Sequence, residues 1–191
     1  YFQDYKQQKL TNQIWPDFMK QVVRYAEERP YNKLPARSTL AARMDRKGAQ
    51  LFFFDALGVE YLSYILAKCE EYGLIAEILV GVCQLPSITC ENKDFISFFG
   101  NNFKKIDDLD ELKHHSQIFD YQQCKEPIHL FRELEIIDKQ LQQIRKGLIQ
   151  DSFNKAVIIS DHGASRLAVI SNHQSKSNIQ LDEKGEHSGR C

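Results

Sequence analysis

The sequence predicts an α/β fold in which helices cover both faces of a mostly parallel sheet. Two short and almost wholly apolar runs, LFFF at 51–54 and AVIIS at 156–160, are typical of strands buried on both faces of such a sheet. Apolar residues also recur every three to four positions over 59–72 and 129–149, which indicates amphipathic helices. Strands that alternate with helices predict a three-layer sandwich with the sheet in the middle.

Residues 1–47 are predicted to form an N-terminal helical segment and a linker, followed by an α/β domain at 48–191. The helix is expected to end before Pro30, because proline cannot continue a helix. A short helix is expected from Ser38, and the Lys- and Arg-rich stretch around it is interpreted as a solvated linker. The recurring apolar positions of the N-terminal helix are Ile14, Phe18, Val22 and Tyr25.

Three further strands are expected in the α/β domain. The run at 75–82 is largely apolar and predicts a second buried strand, 117–119 a short strand, and 167–170 an edge strand. The turns between the elements are predicted near Pro86, at 100–102 and at 107–110.

Composition limits the classes of protein to which the chain can belong. With 191 residues, 25 Lys and Arg against 26 Asp and Glu, and a net charge of -1, it suits one domain that does not grip DNA by bulk electrostatics. No apolar run is long enough to span a membrane, and the polar start lacks a secretory signal. Five cysteines without a CxxC pair fit reduced thiols. We therefore expect a cytoplasmic protein without a membrane partner.

Two apolar strands are each followed by an acid. Asp55 ends FFFD, and Asp161 and His162 follow VIIS in VIISDHG. Ligands of open α/β sheets bind at the carboxyl ends of the strands, so these three side chains are expected to converge. Carboxylates with an imidazole suit zinc or manganese. Alternatively, Asp55 is a helix N-cap and DHG an ordinary turn.

A threonine follows the predicted second strand at the same edge. Thr89 lies in QLPSITCENK, and a threonine hydroxyl becomes a nucleophile when a metal ion or a base activates it. Asn92 is a candidate donor to a non-bridging phosphoryl oxygen. The alternative is an ordinary loop threonine.

The ordered motifs FFFDALG, LPSIT and VIISDHG resemble the alkaline phosphatase superfamily, and within it the PglZ-domain proteins of bacterial BREX phage-defence loci. The resemblance covers about residues 48–191 and implies an alkaline-phosphatase-like core. It implies one metal ion surrounded by four residues and transient phosphorylation of the threonine. The four residues are Asp55, Thr89, Asp161 and His162.

A second metal ion is also implied by the resemblance. His187 in GEHSGR is similar to the late His-Gly motif of the superfamily, although Ser188 stands where glycine is usual. Asp120 takes the place of another ligand, with Cys124 or His129 as the partner that completes the site, unless the second site is incomplete. Alternatively, Asp120 caps the turn that follows it. Only SGRC follows His187, whereas members of the family usually continue with a further strand and helix, so the chain is expected to be a domain fragment or a naturally short version.

The expected function is metal-dependent hydrolysis of phosphate esters, as a phosphatase or a phosphodiesterase. The resemblance implies two divalent metal ions, zinc or manganese, a phosphate-ester substrate such as a nucleotide or DNA, and other defence-system proteins as partners. One alternative is a catalytically weak scaffold subunit that keeps the fold and the metal site. Another is a receiver-like signalling domain, which explains Asp55 but gives no reason for DHG.

Overall fold

Among the described residues, three parallel strands form a sheet at the centre of the fold. The structure is a computed structural model that describes residues 2–11, 14–84, 89–114 and 130–163. The strands are β1 (Ala49–Phe54), β2 (Phe103–Ile106) and β3 (Lys155–Ser160). The helices are α1 (Phe2–Thr11), α2 (Pro16–Glu28), α3 (Arg37–Arg43), α4 (Leu62–Glu71), α5 (Asp108–His114) and α6 (Leu130–Ile149). Short 3₁₀ turns cover Pro30–Lys33, Val59–Tyr61, Thr89–Glu91 and Asp94–Phe99.

The strand order is β2-β1-β3, so the run LFFF lies in the middle of the sheet. Phe54, the last residue of β1, pairs with Ile106 on one side and with Ser160 on the other. All three strands therefore end at the same level, and the residues that follow them emerge at one edge.

The two faces of β1 contact different cores. Phe52 and Phe54 point to the face covered by α4 and α6, whereas Leu51 and Phe53 point to the opposite face. This alternation follows from the two-residue period of a strand. All four side chains are buried, so the apolar run predicts correctly a strand covered on both sides.

Helices α4 and α6 cover the first face. Both correspond to predicted helices, and their apolar sides meet the sheet through Cys69 of α4 and Ile137, Leu141 and Ile144 of α6. Tyr72 and Asp138 join the two helices by a hydrogen bond. These contacts confirm an α/β fold with a parallel sheet.

The segment that the sequence marks as a linker packs on the second face. Ala41 of α3 is buried against Phe95 and Phe99 of the 3₁₀ turn Asp94–Phe99, together with Leu51 and Phe53. Phe53 and Phe95 meet edge to face, with ring centroids 5.2 Å apart. Ala41 thus belongs to the core beside the sheet, although it precedes the predicted boundary at residue 48.

The predicted strand at 75–82 is wrong. Its residues form no regular element, and the Ile75 side chain is completely exposed. Only Val82 forms a bridge, which is parallel to Ala36. The apolar pattern did not suffice because a strand needs a neighbouring strand, and residues 75–81 have none among those described.

Strand β2 was not predicted. Its sequence FKKI places two lysines between apolar residues, and Phe103, Lys104 and Lys105 are all exposed. Charged and exposed side chains are typical of an edge strand, whose pattern is weaker than that of a central strand. Only Ile106 reaches the core.

The N-terminal helix differs from its prediction in one respect. It is divided into α1 and α2, and α2 begins at Pro16, a residue that is tolerated in the first turn of a helix. It ends at Glu28, before Pro30 as predicted. Helix α3 begins at Arg37, one residue from the predicted start.

The predicted strands at 117–119 and 167–170 lie outside the described residues. Among the residues that the structure describes, no helix has the length and apolar character needed to cross a membrane.

Candidate metal centre

Three predicted side chains meet at the carboxyl edge of the sheet. Asp55 follows β1, and Asp161 and His162 follow β3, its parallel neighbour. All three are buried, with exposed fractions of 5%, 1% and 7%. The predicted convergence of these residues is therefore observed.

The imidazole of His162 lies close to both carboxylates. His162 Nε2 lies 3.5 Å from Asp55 Oδ1 and 3.5 Å from Asp161 Oδ2. Zinc bonds to nitrogen and oxygen of roughly 2.0–2.2 Å place tetrahedral ligand atoms about 3.3–3.6 Å apart. The observed separations lie within that range.

The second nitrogen of His162 is also placed as in metal sites. His162 Nδ1 lies 3.3 Å from the carbonyl oxygen of Gly163. A proton on Nδ1 donated to that carbonyl leaves the lone pair of Nε2 directed at the two carboxylates. Metal-ligating histidines are commonly oriented by such a contact at the other ring nitrogen.

Asp110 is a further candidate ligand that sequence reasoning missed. Ligand atoms of Asp55, Asp110 and His162 all lie within 4.8 Å of one another. Asp110 lies in α5, the helix that follows β2, so each of the three strands leads to a residue of this group. A signal was present, because Asp107 follows FKKI as Asp55 follows FFF, but the segment 107–110 was interpreted as a turn.

Thr89 lies beside the two carboxylates, as predicted. Its Oγ1 donates a hydrogen bond of 2.6 Å to Asp161 Oδ2 and lies 3.5 Å from Asp55 Oδ1. The residue begins the 3₁₀ turn Thr89–Glu91 and is partly buried. Its hydroxyl therefore faces the same group of oxygen and nitrogen atoms as His162.

The loops after β1 and β3 are fastened to each other. Asp161 Oδ1 accepts hydrogen bonds from the amides of His162 (2.8 Å) and Ala56 (3.3 Å). Ser160 Oγ accepts from the Leu57 amide (3.1 Å) and donates to the His162 carbonyl (2.7 Å). These bonds fix Asp161 and His162 relative to β1.

The backbone of these loops is conformationally demanding. Ala56 is fully buried and has a φ of 61°, a left-handed conformation that costs about 1–2 kcal/mol for a residue other than glycine. At Gly163 a side chain would bring its Cβ to 2.9 Å from Gly58 Cα. Backbone strain and close approach of loops are frequent at functional sites.

Electrostatics perturb the carboxyl group of Asp55. Burial raises its pKa, and the negative charges of Asp161 and Asp110 raise it further. A hydrogen bond and the positive charge of Lys105 act in the opposite direction without cancelling the rise. A bound cation would relieve this repulsion.

Lys105 supplies a positive charge at the open side of the site. Its Nζ lies 3.3 Å from Asp55 Oδ2, pairs also with Asp107, and is partly exposed. Burial alone would lower the pKa of Lys105, but its bonds to Asp107 and Asp55 outweigh that effect and raise it. Sequence reasoning gave Lys105 no role.

Asn92, predicted as a hydrogen-bond donor to a phosphoryl oxygen, is fully buried and stabilises a loop. Its Nδ2 donates to the Gln84 carbonyl (3.0 Å), and its Oδ1 accepts from the Gln84 amide (2.8 Å). These bonds tie the turn carrying Thr89 to residue 84. The proposed contact of Asn92 with a phosphoryl group stays a prediction.

The predicted second metal site lies outside the described residues. This applies to Asp120 and His187, and also to Cys124 and His129.

Comparisons with protein-family models, with curated proteins and with solved structures find no match for this chain. A buried group of Asp55, Asp110 and His162 can hold a metal ion, with a threonine hydroxyl beside it.

Proposed function

We propose that the chain hydrolyses phosphate esters in a metal-dependent reaction with Thr89 as the nucleophile. The observation that carries the proposal is the convergence of Thr89 with Asp55, Asp161 and His162. These residues come from three separate motifs of the chain. A lone threonine in a loop needs no buried carboxylates or imidazole around its hydroxyl, whereas a threonine nucleophile needs groups that activate it.

Zinc, or manganese in its place, fits the donor set. Carboxylate oxygens and one imidazole nitrogen suit these ions, and the 3.5 Å separations support a ligand cluster. Asp55, Asp110 and His162 would hold the ion, with Asp161 at its border. When bound, the ion polarises a phosphoryl oxygen and favours the ionised form of a neighbouring hydroxyl.

The chain's own residues perform the transfer. Thr89 Oγ1 attacks phosphorus, and its proton passes toward Asp161 Oδ2, the acceptor of its hydrogen bond. The phosphorus–oxygen bond to the leaving group breaks on the opposite side, the leaving oxygen takes a proton from water, and the resulting hydroxide takes up the proton held by Asp161. A second water molecule hydrolyses the phosphothreonine, which regenerates Thr89 and releases phosphate from a monoester or a phosphomonoester from a diester.

Lys105 contributes to substrate binding in this proposal. Its Nζ is partly exposed beside Asp55, so it can turn from the carboxylates toward a phosphoryl oxygen. A point charge of this kind attracts a phosphate ester without fixing its orientation.

The resemblance to the PglZ-domain family carries the finer parts of the proposal. These are an alkaline-phosphatase-like sandwich at 48–191, a second metal ion held by Asp120 and His187, and action in a phage-defence system with other defence proteins. Nucleotides and DNA are the first substrates to test.

The test is turnover of a panel of substrates by the chain with zinc or manganese. The panel contains an aryl phosphomonoester, an aryl phosphodiester, a cyclic nucleotide and single-stranded DNA. We expect Thr89→Ala to lower kcat by at least about a thousandfold, because the nucleophile is removed. Thr89→Ser, which keeps the hydroxyl, should retain a measurable part of the activity, and Thr39→Ala on α3 is the matched control.

Turnover by Thr89→Ala at the wild-type rate would exclude Thr89 as the nucleophile. Thr89→Ala should leave zinc binding nearly unchanged, because Asp55, Asp110 and His162 remain.

A second function is favoured by the ion pair between Lys105 and Asp55. A lysine that pairs with a buried carboxylate offsets part of the charge repulsion without metal, as a catalytically weak scaffold would require. This function predicts that Thr89→Ala and Thr89→Ser both behave as the wild type in every assay. Zinc binding without turnover of any panel member would favour it over the first proposal.

A further inference from the structure

Arg37 occupies an unexpected place in the fold. It is the first residue of α3, within the stretch interpreted from sequence as a solvated linker. That interpretation is wrong for Arg37, because its side chain is only 13% exposed. The guanidinium carbon lies 4.8 Å from the centroid of the Phe95 ring, over its face.

The guanidinium group bonds to the end of β3. Arg37 Nη1 donates to the carbonyl oxygens of Ser160 (3.2 Å) and Asp161 (2.7 Å). These carbonyls belong to the residue before the site and to a residue of the site itself. Arg37 therefore holds the backbone from which the Asp161 and His162 side chains project.

The other terminal nitrogen bonds to the turn that carries Thr89. Arg37 Nη2 donates to the carbonyl oxygen (2.7 Å) and to Oδ1 (3.2 Å) of Asn92, and an ion pair with Asp94 (3.5 Å) lies beside them. The Asn92 amide in turn donates to the Thr89 carbonyl (3.1 Å). The guanidinium group of Arg37 thus joins the end of β3 to the turn that carries Thr89.

The backbone of Arg37 is also held by hydrogen bonds. Its amide donates to the Val82 carbonyl (3.0 Å), and the Val82 amide donates to the Pro35 carbonyl (2.9 Å). Val82 precedes Gln84, to which Asn92 is hydrogen bonded. The backbone of Arg37 therefore holds Val82, which lies before Thr89 in the chain, and its side chain holds Asn92, which lies after it.

We propose that Arg37 is a positioning residue that sets the Thr89 hydroxyl against the Asp161 carboxylate. The Thr89–Asp161 hydrogen bond of 2.6 Å crosses between the two segments that Arg37 clamps. The rigid guanidinium fork bonds to two carbonyls on one side and one on the other, which a lysine ammonium cannot reproduce. The effect on turnover rests on the proposed function, whereas the effect on loop order does not.

The test measures amide hydrogen exchange by NMR in the wild type, Arg37→Ala, Arg37→Lys and the control Arg43→Ala. Arg43 is an exposed arginine in the last turn of the same helix. We expect exchange at Gln84 and Asn92 to accelerate by about tenfold or more in both Arg37 variants, because local opening is no longer restrained. Exchange at residues 51–54 of β1 should stay at the wild-type rate, as should all of these amides in Arg43→Ala.

Unchanged exchange at Gln84 and Asn92 would overturn the proposal. So would an equal acceleration at residues 51–54, since it would mean that Arg37 supports only global stability. Arg37→Lys keeps the charge and provides the same readout if Arg37→Ala does not fold.

Kinetics then separate this proposal from the proposed function. If the chain hydrolyses phosphate esters, Arg37→Ala should lower kcat by about a hundredfold, as expected for a misplaced nucleophile. Its zinc Kd should change less, because Asp161 and His162 are also held by the pairing of β3 with β1 and by the hydrogen bonds of Asp161 Oδ1 and Ser160 Oγ. Accelerated exchange in a chain without any turnover would support the role of Arg37 in loop order and reject the enzymatic proposal.

Discussion

Two regions meet at the candidate site, and they are held in different ways. The strand-end region (residues 49–57 and 155–163) consists of two paired strands and the loops that follow them. The threonine segment (residues 74–84 and 89–92) carries the hydroxyl and forms only one bridge and one 3₁₀ turn among its described residues. The first region supplies Asp55, Asp161 and His162, and the second supplies Thr89.

The difference shows where the geometry of each group originates. Asp55 and Asp161 are placed by strand register and by a core of buried phenylalanines. Thr89 is placed by individual polar contacts, chiefly those of Arg37 and Asn92. We therefore expect ligand geometry to depend on core packing, and the position of the hydroxyl to depend on a few hydrogen bonds.

The largest effect on stability is expected in the strand-end region. Phe53 is 1% exposed and packs edge to face on Phe95, so Phe53→Ala leaves a cavity under the site. We expect a loss of about 3–5 kcal/mol in the free energy of unfolding, measured by urea denaturation. A loss below about 1 kcal/mol would show that the sheet is not packed as described.

A smaller effect of opposite sign is expected for Asp55→Asn. The raised pKa of Asp55 means that its stabilising contribution is complete below the unfolded pKa, near 3.9, and is lost as the pH rises through the folded pKa. In the presence of a chelator, Asp55→Asn should therefore be more stable than the wild type at pH 7.5, by about 1 kcal/mol. The advantage should vanish at pH 3.5.

Zinc should reverse this order. The wild type gains about 2.7 kcal/mol at a zinc concentration 100 times its Kd, whereas Asp55→Asn gains little because a ligand is missing. Thermal unfolding of the wild type and of Asp55→Asn, each with and without zinc, measures the stabilisation of each protein by zinc. An advantage of Asp55→Asn that persists in zinc would argue against Asp55 as a ligand.

The smallest effect is expected in the threonine segment. Ile75 is fully exposed, so Ile75→Ser should change the free energy of unfolding by less than about 0.5 kcal/mol. Urea denaturation beside Phe53→Ala provides the comparison. A loss of more than about 1 kcal/mol would mean that this segment packs as the buried strand that its sequence predicts.

The sequence identified the strand-end region well because its signals are local. LFFF and AVII are apolar at every position, and the acids stand directly after them. Lys105 belongs to an edge strand and Asp110 to the helix after it. Both were missed because the exposed lysines of that strand interrupt the run of apolar residues by which a strand is predicted.

Arg37 could not be found from its neighbours in sequence. Its partners Asn92 and Asp161 lie 55 and 124 residues away in the sequence. A basic residue that follows two prolines and begins a short helix is usually solvated. The strand predicted at 75–82 was wrong for a related reason, because a strand depends on a distant partner strand that its own apolar residues do not reveal.

A calorimetric titration of zinc into the chain, its His162→Ala variant and the control Asp108→Asn tests the metal centre most directly. Asp108 is exposed in the same helical turn as Asp110 but outside the ligand group. We expect saturable binding by the wild type and by Asp108→Asn, with a Kd at least about a hundredfold weaker in His162→Ala, because the only imidazole of the group is lost. Equal binding by all three proteins, or none by the wild type, would contradict a metal centre at the carboxyl ends of the strands.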